Sequence, residues 1–114
     1  MIFDIMTLFP ALVDGVLSES IIGRARENGC LSVFAHNIRD YSQDKHRRVD
    51  DTPYGGGMGM LMTCQPIDVC HTAVKNLAPY MKTRTVYMSP QGRVFNQKIA
   101  SELASYDRLI ILCG

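Results

Sequence analysis

Residues 2–9, Ile2-Phe3-Asp4-Ile5-Met6-Thr7-Leu8-Phe9, make a short, apolar, β-prone run closed by Pro10. Proline suits the first turn of a helix, where its missing N–H would have had no intrahelical acceptor. The run therefore reads as a buried strand passing directly into a helix. From Pro10 to Asn28 the apolar residues Leu12, Val13, Val16, Leu17, Ile21, Ile22 and Ala25 recur at helical spacing. A break near Ser18 to Ser20 and a stop at Gly29 make this helical ground, divisible into two helices.

The same alternation continues along the chain. Leu31 to His36 reads as a second strand, Gln65 to Tyr80 as a helix with Pro66 in its first turn, and Arg84 to Ser89 as a third strand. The turn Pro90-Gln91-Gly92 leads to a helix from about Asn96 to Ser105, and Arg108-Leu109-Ile110-Ile111-Leu112-Cys113 is a fourth strand, apolar after its first residue. Strands alternating with helices imply an α/β fold with a largely parallel sheet. At 114 residues the chain has room for one such domain, residues 1–114.

About twenty residues, Asn37 to Gly59, interrupt the pattern without convincing periodicity. A loop of that length in a compact domain is usually either functional or a sign of a wrong assignment, and here it reads as functional. The sequence also stops at Gly114, directly after its most apolar strand, although a parallel strand needs cover on both faces. The natural gene product is therefore expected to continue.

Composition narrows the classes. With 46% hydrophobic and 20% charged residues the chain has ordinary globular usage, so disorder is not expected. A net charge of +1 supplies no overall field toward nucleic acid, so an RNA contact would have to be local. Cys30, Cys64, Cys70 and Cys113 show no CxxC spacing and read as buried free thiols, with no zinc site. No stretch approaches the roughly 20 apolar residues of a membrane span, and Asp4 interrupts the first apolar run before it could act as a signal peptide, so no membrane partner and a cytoplasmic location are expected.

Three segments carry candidate chemistry. In Tyr54-Gly55-Gly56-Gly57-Met58-Gly59-Met60, four glycines in five positions allow close backbone approach to a ligand. The segment is neither a dinucleotide fingerprint, since Met62 stands where the third glycine belongs, nor a Walker loop, since no Gly-Lys-Ser/Thr follows. A plain flexible turn is the alternative. Just before it, Asp44-Lys45-His46-Arg47-Arg48-Val49-Asp50-Asp51 mixes cations with carboxylates. Alone it reads as a solvated loop, but arginines can grip phosphates and carboxylates can accept from guanine N–H groups, a mixture suited to guanosine. The third, Tyr87-Met88-Ser89-Pro90-Gln91-Gly92-Arg93, lies at the carboxyl end of strand three. Open α/β sheets bind ligands at that edge, although Pro-Gln-Gly also suits an ordinary β-turn.

Read in order, Thr7-Leu8-Phe9-Pro10, Arg47 to Met60, Ser89-Pro90-Gln91-Gly92 and Leu112-Cys113-Gly114 resemble the landmarks of the TrmD family of bacterial tRNA (guanine-N1)-methyltransferases, in the knotted SPOUT superfamily. The likeness runs along the entire chain. It implies a parallel-sheet, trefoil-knot methyltransferase domain, truncated here before the knot is complete, from a homodimer acting on tRNA. The resemblance places Tyr87, Met88, Ser89, Pro90, Leu112, Cys113 and Gly114 around S-adenosyl-L-methionine. It turns His46, Arg47, Arg48, Asp50, Gly55, Gly56, Gly57 and Gly59 toward the RNA and its target guanosine. Asp50 would help to position the guanine, whereas the family's general base is an aspartate beyond residue 114. Mg2+ in the reaction is implied by the resemblance alone. Met58 stands where the family commonly has proline, and the family's Tyr-Glu-Gly continuation and second domain are absent.

Two other classes compete: a flavodoxin-like nucleotide-binding module, which leaves the His46 to Asp51 cluster without a purpose, and a non-catalytic RNA-binding or dimerisation domain. Under the methyltransferase reading, Ser89→Leu should weaken cofactor binding and Gly59→Val guanosine binding, because each adds bulk where backbone must come close. Calorimetric titration of S-adenosylmethionine into Ser89→Leu checks the first, and unaltered affinity would count against the placement of the pocket.

Overall fold

The structure, a computed structural model, describes residues 1–42, 50–51, 61–62, 64–89 and 91–113. In chain order these form β1 (Ile2–Thr7), α1 (Pro10–Val16), α2 (Ser20–Glu27), β2 (Ser32–Asn37), the short 3-10 helix η1 (Ile38–Tyr41), β3 (Asp50–Asp51), β4 (Leu61–Met62), α3 (Cys64–Asn76), β5 (Thr83–Tyr87), α4 (Gln97–Ala104) and β6 (Arg108–Leu112). Four strands make one parallel sheet in the order β2-β1-β6-β5, and β3 and β4 pair separately in antiparallel fashion. The expected α/β architecture is thus present, with all four carboxyl ends on one edge.

Local chemistry accounts for most boundaries. Pro10 opens α1, and α2 ends with Gly29 at φ 74°. The Gly29 N–H donates to the Arg26 carbonyl and the Cys30 N–H to the Ala25 carbonyl, the paired bonds of a Schellman stop. Asn96 caps α4, its side-chain oxygen accepting from the Ile99 N–H at 2.9 Å. The helix expected to reach Tyr80 stops at Asn76. Two causes are visible: Pro79 disfavours helical backbone at Ala78, and the last carbonyls of α3 turn to a different donor.

That donor is Arg108, which is 1% exposed. Its guanidinium donates to the carbonyls of Val74, Lys75 (3.3 Å) and Ala78 (3.2 Å), capping the helix end from the neighbouring sheet. Its Nε donates to Asp4 Oδ2 at 2.7 Å, while Asp4 Oδ1 lies 2.7 Å from His36 Nε2. An ionised carboxylate only accepts, so Nε2 carries the hydrogen. Asp4, His36 and Arg108 thereby join β1, β2 and β6 on the face covered by α3. Beside them lies the core of Met6, Ile38, Cys70, Val74 and Ile110, with Tyr41, Ile67 and Leu112 packed against it.

The sequence reading takes all four cysteines as buried, which Cys30 contradicts. It is exposed, because it follows the Gly29 turn at the start of a surface connection and lies outside the apolar run of β2. Cys70 is buried and Cys113 half-buried, both as free thiols; the Cys64 side chain lies outside the described part. Ile38, read as part of an aperiodic loop, is fully buried in η1.

Between α1 and α2 the backbone closes tightly. A Cβ placed on Gly23 would lie 2.2 Å from the Ser18 carbonyl oxygen. Gly23→Ala should therefore destabilise the fold by about 1–3 kcal/mol, as overpacking does, measurable as a lower urea midpoint. Acid sensitivity has its source at Asp4. Burial by itself would raise the Asp4 carboxyl, but hydrogen bonds and charge from His36 and Arg108 outweigh it and hold the group below its ordinary 3.8. Its stabilising contribution is complete above that value and is lost as pH falls through the lower folded-state pKa. Urea midpoints followed from pH 6 to pH 2 should drop through this window, and less steeply for Asp4→Asn.

Candidate functional site

Strand ends meet at the carboxyl edge. The Met88 N–H donates to the Leu112 carbonyl at 3.2 Å, and the Cys113 N–H donates to the Met6 carbonyl at 2.9 Å. These bonds draw the ends of β5, β6 and β1 into one line, so Tyr87, Met88, Leu112 and Cys113 occupy adjacent positions. Tyr87 and Met88 are 65% and 61% exposed, offering apolar surface in a place where parallel sheets bind ligands. Ser89 then turns the chain: its Oγ accepts from the Gln91 N–H at 3.2 Å and its carbonyl from the Gly92 N–H at 3.3 Å. These bonds form a turn at the carboxyl edge of the sheet.

Thiol chemistry does not suit the edge, because burial pushes the Cys113 thiol up and keeps it protonated near neutrality. Cys70, deeper in the core, is pushed up to about 11 by burial and then by the nearby Asp40 charge.

Asp50 lies in the two-residue β3, opposite Met62 of β4. His46, Arg47, Arg48, Gly55, Gly56, Gly57, Gly59, Pro90 and Gly114 lie outside the described residues. By chain order, residues 43–49 follow η1 and residues 52–60 sit between β3 and β4, immediately ahead of α3.

A different cluster escaped the sequence reading. Asp4, His36 and Arg108 border an apolar hollow of about 260 Å³ with Phe34 and Leu77. This hollow adjoins the starts of β1 and β6 and reaches His36 toward the end of β2. Its polar side chains are engaged with one another and with α3, so it is a packing feature beside the cluster. The available signal was a carboxylate inside an apolar strand, which demands a buried partner. Among the described residues no three His, Cys, Asp or Glu side chains gather as metal ligands. None of the described helices is long and apolar enough to cross a membrane.

Comparison with known proteins bears on the family and the fold. The family model described as tRNA (Guanine-1)-methyltransferase TrmD matches residues 1–114. A tRNA (guanine-N(1)-)-methyltransferase of Ruminiclostridium cellulolyticum is 52% identical over 112 residues, covering 98% of this chain and 48% of the relative. That of Geobacter sulfurreducens is 54% identical over 112 residues, covering 98% and 45%. The crystal structure of tRNA (m1G37) methyltransferase from Aquifex aeolicus superposes with a TM-score of 0.84 at 28% identity, over all of this chain and 50% of that one. The chain thus spans about half the length of the relatives it matches. With a match along its whole length and a parallel sheet superposing on a solved member, the chain belongs to the tRNA (guanine-1)-methyltransferase TrmD family.

Proposed function

We propose that this chain forms part of an S-adenosylmethionine-dependent methyltransferase that methylates N1 of the guanosine 3′ of the anticodon in tRNA. The observation that carries the reading is the family match over residues 1–114. The joined strand ends bearing Tyr87, Met88, Leu112 and Cys113 support it by offering a cofactor edge. Family membership also displaces the flavodoxin-like alternative.

In the proposed reaction guanine N1 attacks the sulfonium methyl. The N–C bond forms as the C–S bond breaks, S-adenosylhomocysteine leaves, and the N1 proton passes to a base. Tyr87, Met88, Ser89, Pro90, Leu112, Cys113 and Gly114 hold the cofactor in this proposal. His46, Arg47, Arg48 and the glycines at 55–57 and 59 face the RNA, with Asp50 orienting the guanine. Alignment is their main contribution, since in-line transfer is sensitive to small displacements. The base is assigned to no residue of this chain.

The working form in this proposal is a cytoplasmic homodimer. Exposed Phe9, Leu12, Val16, Ile21, Val94 and Phe95 are apolar surface available for burial in a larger assembly.

Methyl incorporation by the full-length gene product tests the reading. Incorporation is expected into tRNA with guanosine 3′ of the anticodon and not into tRNA with adenosine there. Equal incorporation, or none, would overturn it, and parallel reactions with EDTA test the part of Mg2+. The 114-residue polypeptide alone is expected to be inactive or nearly so, and multiple turnovers by it would refute that expectation.

A further inference from the structure

The segment assigned to the guanosine has two flanks, and both lead to the same packed unit. Residues 43–49 follow η1, and β3 and β4 bracket residues 52–60 before the chain enters α3. η1 and α3 share one core: Ile38 and Tyr41 of η1 meet Ile67, Cys70 and Val74 of α3. Side-chain packing fixes these two elements laterally. Sliding of α3 along its axis is opposed at its far end by the Arg108 guanidinium, which binds the carbonyls of Val74, Lys75 and Ala78. Arg108 is itself held at 2.7 Å by Asp4, whose other oxygen is 2.7 Å from His36.

We propose that Arg108 is a positioning residue for guanosine recognition, with Asp4 and His36 as its support. It anchors the η1–α3 platform from which both flanks of the substrate segment depart. The proposal rests on the functional reading above and deepens it. Arg108 touches no substrate, since it is 1% exposed and lies at the amino-terminal end of β6, with the cofactor edge at the opposite end of that strand. Its fork of donors reaches four acceptors at once, which the single ammonium of lysine cannot copy. Losing the fork would loosen the platform while the apolar core still forms. The consequence falls on tRNA, because the joined ends of β5, β6 and β1 are bonded independently of α3.

Arg108→Lys and Asp4→Asn in the full-length gene product test this. Asp4→Asn is the milder change, since an amide oxygen still accepts from Arg108. For Arg108→Lys the KM for tRNA should rise about tenfold, with the Kd for S-adenosylmethionine within about twofold of wild type. Hydrogen exchange across residues 38–41 and the first turns of α3 should quicken about tenfold. Asp4→Asn should move the same readouts in the same direction by less, and it decides the matter if Arg108→Lys does not fold. A folded variant with unaltered KM and exchange would overturn the proposal, as would tRNA and cofactor binding lost in equal proportion. Should wild type fail to methylate tRNA, the functional reading falls, while exchange still decides whether Arg108 anchors the platform.

Discussion

The guanidinium of Arg108 and the carboxylate of Asp4 meet in the interior, where a charge left alone would cost several kcal/mol. Nearly everything else in the fold is compatible with that requirement. Asp4 lies on β1 opposite Ile110, and Arg108 lies on β6 opposite Ile2, so the two are diagonal neighbours on one face. A slip of β6 by one residue would carry Arg108 to the other face and strand both charges. The pair therefore selects the register of the two central strands, which join the ends of the chain. Replacing it with apolar residues need not weaken the fold, so its contribution is better described as specificity than as net stability.

The same pair joins layers. Arg108 caps α3, so the helix end that would otherwise expose carbonyls is satisfied by the sheet. Asp4 extends the connection to His36 on β2, and the apolar cluster around Met6 and Ile110 fills the space beyond. Arg108 thus places its polar contacts at the amino end of β6. The opposite edge carries the exposed Tyr87 and Met88. A rigid base and an open edge are what a sheet needs if loops at its carboxyl ends are to hold a ligand in fixed geometry.

Much of the architecture was legible in the residues. Pro10, the break after Leu17, Gly29 and Asn96 each act locally, through φ restriction or a side-chain cap, so their effects need no knowledge of the rest of the chain. The end of α3 was not legible, because half its cause is an arginine 32 residues further on. Ile38 was missed for a similar reason. A single 3-10 turn has no periodicity to read, and its burial depends on α3 arriving over it. Cys30 shows the reverse error, since an apolar residue type beside a strand says nothing about whether another element covers it.

For the site, ordered short motifs pointed to the family and to the carboxyl edge, and that much belongs to sequence, because motif order is a property of the chain itself. Alternating apolar periods likewise determined the α/β class, since burial on both faces of a parallel strand leaves a pattern in the residues. Only the tertiary structure decided strand order, the adjacency of β1 to β6, and the meeting of Met88 with Leu112 and of Cys113 with Met6. It alone revealed that Asp4, His36 and Arg108 are one cluster. Their separations of 32 and 104 positions leave no local trace, and what brings them together is the shared need of buried polar and charged groups for partners.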